Sequence, residues 1–167
     1  MKTKLLTLLI LSCMLLALAS CSNTGPGLGD SDVSDEQANA YFTIFKDLYE
    51  KDPALNDDSI YLAVDLTNVM LENTDPLIAL LEDFCDNNGY TLLLDTFDGL
   101  KEKGYIEDLW FPDGFLIAFT DAELTKDKLI TSAQKWRSGL GAIGSDYTVK
   151  FKNDLWEITK IENSWIS

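Results

Sequence analysis

Apolar residues recur at helical spacing in the first half of the folded region, beginning with the segment from Ala38 to Tyr49. Positions three and four residues apart are apolar there, which predicts a helix with one buried face. Ser34 is followed three residues later by Gln37, a pattern that predicts a capping box with Ser34 as the N-cap. The proline at Asp52-Pro53 cannot continue the helix and therefore marks its end.

The next three segments alternate between strand and helix patterns. The run 60–66 is rich in β-forming residues, and the run 90–94 is similar. Between them, Asp75-Pro76 predicts a helix start with Asp75 as the cap, and Gly89 predicts its left-handed stop. We therefore expect one βαβ unit, followed by a short helix over 96–103.

From Phe115 onward the hydrophobic period changes to two, which predicts strands. Asn153-Asp154 lies between two such runs and predicts a hairpin with a two-residue loop. The predicted strands are 115–120, 128–137, 146–152 and 155–161. The predicted pairs are Lys152 with Leu155, Phe151 with Trp156, Val149 with Ile158, and Tyr147 with Lys160. Together the patterns predict an α+β fold, with helices packed on a mixed, mostly antiparallel sheet that ends in a C-terminal β-meander.

An apolar run near the start of the chain has the form of an export signal. Lys2 and Lys4 precede it, and it ends at Leu18-Ala19-Ser20-Cys21. The run is short for a membrane-spanning helix, which needs about 20 residues. We interpret 1–20 as a signal peptide and 21–33, which is rich in glycine, as a disordered tether. The remaining residues, 34–167, are enough for a single domain.

The charge of the chain is strongly negative. The formal net charge is −15, and it becomes −17 when Lys2 and Lys4 leave with the signal peptide. Such a protein repels nucleic acid, so no nucleic-acid partner is expected. The acidity suits solubility at an extracytoplasmic surface, or alternatively the recruitment of cationic peptides or metal ions.

The numbers of cysteines and histidines limit the kinds of catalytic and metal site that the chain can form. The chain has three cysteines and no histidine, which excludes Ser-His-Asp triads, Cys-His nucleophiles and His-ligated zinc. Cys85 lies on the apolar-periodic helix and is predicted to be a small core residue. Gly139 to Gly144 matches G-x-G-x-x-G, but a strand-like segment follows it instead of a helix, so we interpret it as a glycine-rich turn.

Two kinds of surface residues remain as candidates for chemistry or binding. Acidic residues are spread over several short clusters, and a hydrolase using paired carboxylates is one hypothesis. No catalytic residue, metal ligand or cofactor is assigned. The loop 105–114 carries Trp110 and Phe111, which are a candidate partner surface because loop aromatics often anchor partners. The alternative is that they pack on the protein's own core.

Two motifs carry a resemblance. Leu18-Ala19-Ser20-Cys21 resembles the lipobox of bacterial lipoproteins, which implies that the Cys21 thiol accepts diacylglycerol. Segment 135–144, with Tyr147-Thr148-Val149-Lys150, Trp156-Glu157-Ile158-Thr159 and Trp165-Ile166-Ser167, is similar to an uncharacterised family of small bacterial lipoproteins. The alternative at Cys21 is plain secretory cleavage that leaves an ordinary thiol.

The expected function follows from these two motifs and from the missing reaction centre. We expect a lipid-anchored protein on the extracytoplasmic face of a cell membrane that acts as a non-enzymatic protein- or peptide-binding module. The alternatives are the carboxylate hydrolase and a small solute-binding accessory of a transporter.

Overall fold

The computed structural model describes residues 30–167, so the predicted signal peptide, Cys21 and most of the predicted tether lie outside the described residues. Three α-helices and six strands make up the described part. The helices are α1 (Asp30–Glu50), α2 (Asp75–Asn88) and α3 (Phe97–Glu102), and a 3₁₀ turn spans Pro53–Asn56. The strands are β1 (Tyr61–Asn68), β2 (Thr91–Leu94), β3 (Gly114–Leu124), β4 (Lys128–Ser138), β5 (Gly141–Lys152) and β6 (Leu155–Ile166).

All six strands form one sheet in the order β2-β1-β3-β4-β5-β6. Strand β1 is parallel to both β2 and β3, and the connection from β1 through α2 to β2 is the predicted βαβ unit. Strands β3 to β6 are antiparallel neighbours and form the predicted meander. The α+β prediction is confirmed.

Helices α1 and α2 pack on one face of the sheet and form the main core with it. Phe45 of α1 and Phe84 of α2 meet edge to face, with ring centroids 4.9 Å apart. Tyr41 and Phe119 are fully buried in the same cluster. Cys85 is also buried there, as predicted, and burial raises the pKa of its thiol to about 11. Its thiol is therefore neutral at physiological pH and acts as a core group.

The opposite face of the sheet is covered only in part. Helix α3 and the loop after it bury a second cluster that includes Leu100, Phe111 and Leu116. Phe97 of α3 packs against Trp136 of β4, with centroids 4.9 Å apart. Beyond Trp136, the side chains of Thr120, Ser132 and Gln134 on this face are exposed, so part of the sheet is open to solvent.

Two predicted helix starts are displaced in the structure. Helix α1 begins at Asp30, four residues before Ser34, so the expected capping box lies within the helix. For α2 the N-cap is Thr74 instead of Asp75, and the Asn73 side chain accepts the Asp75 backbone N–H at 3.0 Å. The Thr74 side chain makes no capping hydrogen bond, so Asn73 supplies an acceptor for one of the free backbone N–H groups at the start of the helix. The predicted stop at Gly89 is confirmed by its φ of 78°.

The hairpin between β5 and β6 has the predicted two-residue loop. Asn153 and Asp154 have φ values of 51° and 62°, as a type I′ turn requires. Lys152 pairs with Leu155, Phe151 with Trp156, and Val149 with Ile158, all as predicted. The fourth predicted pair is wrong, because Tyr147 pairs with Ile161 and not with Lys160. An extra residue in β6, Thr159, bulges there and shifts the register by one.

The glycine-rich segment 139–144 is a turn and a strand start, as its sequence context predicted. Gly139 and Leu140 form the turn between β4 and β5, and Gly141 begins β5. Within residues 30–167, the structure contains no helix with the length and apolar character needed to cross a membrane.

Candidate functional site

The open part of the sheet carries a groove over β3, β4, β5 and β6, here called the meander groove. The register places one residue from each strand in a row: Ala118, Gln134, Gly144 and Trp165. The next row begins with Thr120, Ser132 and Asp146. Side chains in a row share a face of the sheet, so these residues line one surface. The groove encloses about 240 Å³.

A second bulge in β6 shapes the groove. Between the pairs Gly144–Trp165 and Asp146–Glu162, one residue of β5 faces two residues of β6, Asn163 and Ser164. Asn163 has a φ of 48°, a left-handed conformation that asparagine tolerates better than most residues. The bulge directs the Asn163 side chain to Asp146, where its Nδ2 donates to Oδ2 at 2.6 Å. Bulges often re-aim a side chain in this way beside functional sites.

The Trp165 ring lies directly on Gly144. A Cβ atom at position 144 would come within 2.5 Å of the ring, so only glycine allows this close approach. Trp165 is nevertheless 43% exposed, and it lines the groove. Trp165 was not among the site residues predicted from the sequence, because the pairing of a glycine with a tryptophan across two strands depends on the register.

Asp146 is the one acidic residue in the lining of the groove. Ser132 Oγ donates to one carboxylate oxygen and Asn163 donates to the other. These two hydrogen bonds lower the pKa of Asp146, the bond from Ser132 having the larger effect. The carboxylate is therefore ionised at neutral pH. Both partners are uncharged, so its negative charge is stabilised but not neutralised.

The structure separates the two residues of the predicted partner surface. Phe111 is fully buried in the second hydrophobic cluster, so its assignment to a surface was wrong. Its ring packs against Gly114 at the start of β3, where a Cβ atom would come within 2.5 Å of the ring. Trp110 is 54% exposed and lies beside Leu109, which is also exposed. Backbone pairing with Ser138 holds Trp110 at the end of β4, outside the meander groove.

A second cavity, of about 370 Å³, lies at the carboxyl ends of β1 and β2 and contains two of the acidic residues. Asp65 Oδ1 accepts hydrogen bonds from the backbone and hydroxyl of Thr67. Asp95 forms an ion pair with Lys103 at 2.6 Å, and the hydrogen bond from this lysine lowers the pKa of the carboxyl. A general acid needs a raised pKa instead. In the described part of the chain, no three Cys, Asp or Glu residues converge as metal ligands would.

A buried lysine that the sequence analysis missed supports the sheet below this surface. Lys135 of β4 is fully buried on the helix side. Its Nζ lies within hydrogen-bonding distance of four acceptors, which share its three N–H groups: the Asp52 carbonyl at 3.1 Å, Asn56 Oδ1 at 3.0 Å, and the carbonyls of Tyr49 and Lys51. Burial lowers its pKa to about 8, so it remains protonated at pH 7. Lys135 thus caps the carboxyl end of α1.

Comparisons with protein-family models, with curated proteins and with solved structures gave no match for this chain. The resemblance to small bacterial lipoproteins therefore stays a prediction.

Proposed function

We propose that this protein is a non-enzymatic binding module, anchored by lipid at Cys21 to the extracytoplasmic face of a cell membrane, and that its ligand site is the meander groove. The observation that carries the proposal is the β6 bulge at Asn163, which sets an exposed tryptophan and an ionised carboxylate beside the same groove. The ligand is a segment of another protein or a peptide.

Three physical features support a binding role for this groove. Its residues come from four hydrogen-bonded strands, which hold side chains more rigidly than loops do. It places one aromatic ring beside several polar side chains, which can fix the orientation of a bound ligand. Gln134 is exposed there, and its amide can both donate and accept.

The groove proposal predicts site-specific capture of the ligand. A photo-crosslinking amino acid at position 134, in the full chain in bacterial membranes, is expected to form adducts. Gly144→Val places side-chain atoms where the Trp165 ring lies and should reduce capture about tenfold, equivalent to about 1.4 kcal/mol of binding free energy.

The matched control carries the crosslinking residue at position 152, at the exposed far end of β5. Adducts from 152 that equal those from 134, or capture at 134 that Gly144→Val leaves unchanged, would contradict the proposal. A valine at position 144 also strains the fold, so a loss of capture in this variant can reflect misfolding. Trp165→Ser, which removes the ring without adding atoms, is therefore measured beside it, and circular dichroism shows whether both variants fold.

The anchoring proposal predicts the behaviour of Cys21→Ser. The serine hydroxyl does not replace the thiol as lipid acceptor, so the variant should incorporate no labelled palmitate and should leave the membrane fraction. In the proposed anchor all acyl chains are attached to Cys21. Loss of this residue should therefore release nearly all of the protein from the membrane. A Cys85→Ser variant is the control, because that thiol is buried in the core. Sedimentation of Cys21→Ser with membranes, still labelled, would disprove the anchor.

A further inference from the structure

We propose that the meander groove binds one basic side chain, lysine or arginine, of an extended peptide segment, with its cation between the Asp146 carboxylate and the Trp165 ring. This inference rests on the proposed function, because it names the chemistry of the ligand at the same site.

The charge around the groove favours a cation. The Asp146 carboxylate has hydrogen-bond partners but no positively charged partner among the described residues. The groove lining contains no lysine or arginine. Lys160, in the adjacent part of β6, has its Nζ held by Glu162 at 2.7 Å. The whole chain has a net charge of −15, which attracts cationic ligands from a distance.

The aromatic ring complements the carboxylate. A lysine or arginine cation within about 6 Å of an indole is attracted by the ring's quadrupole, and tryptophan is the best side chain for this interaction. Trp165 also offers an apolar surface to the methylene groups of a basic side chain. A carboxylate and an indole around one groove thus match the two parts of lysine or arginine, the charged end and the apolar stem.

The size of the groove limits the ligand to one side chain. Its volume of about 240 Å³ is below the range of about 300–1,000 Å³ that is typical of sites for drug-sized ligands. Thr120 and Gln134 are further polar residues of the groove. Their side chains are exposed and can accept hydrogen bonds from the remaining N–H groups of the cation. The rest of the peptide then lies along the outside of the sheet.

Fluorescently labelled pentapeptides test the inference with the full-length chain in lipid nanodiscs. Four peptides differ only at the central residue, which is lysine, arginine, norleucine or glutamate, and anisotropy measures their affinities at 150 mM salt. Norleucine keeps the length of lysine without its charge. We expect the lysine and arginine peptides to bind at least about tenfold more tightly than the norleucine peptide, a difference of about 1.4 kcal/mol.

Asp146→Asn and Asp154→Asn form the matched pair of variants. Each removes one negative charge, but Asp154 lies in the exposed hairpin turn away from the groove. Asp146→Asn should weaken the lysine peptide about tenfold and leave the norleucine peptide unchanged, while Asp154→Asn should leave both unchanged. Equal losses in the two variants would assign the attraction to overall charge and overturn the inference.

The experiment distinguishes the failure of the inference from the failure of the proposed function. Norleucine and lysine peptides that bind equally well, and lose affinity in Trp165→Ser, would overturn the cationic ligand and leave the groove as a binding site. If none of the four peptides binds but crosslinking from position 134 persists, the cationic ligand is likewise overturned and the groove remains a binding site. Absence of both peptide binding and crosslinking would overturn the groove itself.

Discussion

Trp156→Ala is expected to lower the free energy of unfolding by about 3–5 kcal/mol, the range for removal of a large buried aromatic side chain. Trp156 is only 8% exposed and packs against Phe151 across the hairpin, with ring centroids 5.5 Å apart. Domains of this size are stable by about 5–15 kcal/mol, so the loss would consume much of the total. Urea denaturation of the soluble domain measures the change.

Lys152→Ala is the control for Trp156→Ala. Lys152 lies on the same hairpin, one residue from Phe151, but its side chain is exposed on the opposite face. Its replacement should change stability by less than about 0.5 kcal/mol. A wild-type denaturation midpoint for Trp156→Ala, or equal losses in both variants, would contradict the assignment of faces in β5 and β6.

Lys135→Met is expected to destabilise the domain by about 2–5 kcal/mol. The substitution keeps an unbranched apolar stem but removes the cation that binds the Tyr49 and Asp52 carbonyls and the Asn56 side chain. Each buried acceptor left without a donor costs about 1–3 kcal/mol, and the gain from removing a buried charge offsets part of that cost. Urea denaturation measures the change in the free energy of unfolding. Amide hydrogen exchange shows whether residues 49–56 lose protection.

Lys150→Met serves as the matched control for Lys135→Met. It makes the same substitution at an exposed position of the neighbouring strand, and it should leave both stability and exchange nearly unchanged. Exchange protection of residues 49–56 that survives in Lys135→Met would show that the lysine does not hold the end of α1.

Local sequence signals predicted most of the fold because each depends on neighbouring residues. Asn153-Asp154 adopts the left-handed conformations of a type I′ turn, and this turn alone determines the first pairs of the hairpin. Gly89 and Thr96 end and begin helices in the predicted way. The bulge at Thr159 was not predictable, since a bulge changes pairing without changing the alternation of residues on either side of it.

The candidate site was harder to predict because it depends on what the rest of the chain leaves uncovered. Phe111 and Trp110 are adjacent and aromatic, yet one is buried and the other exposed, because successive residues point in opposite directions from the backbone. Gly144 and Trp165 are 21 positions apart, and only the sheet register brings them together. The buried Lys135 lies in an alternating strand pattern that by itself favours an apolar residue at that position.

The two bulges in β6 have a consequence for the behaviour of the protein at high concentration. Strand β6 has twelve residues and, within residues 30–167, pairs on one side only, which leaves its outer edge open to another chain. The bulges divide its ladder with β5 into paired runs of at most four residues. Bulged, charged edges resist the continuous strand pairing that leads to aggregation. Thr159 and the pair Asn163-Ser164 therefore help neighbouring copies to remain separate at high concentration.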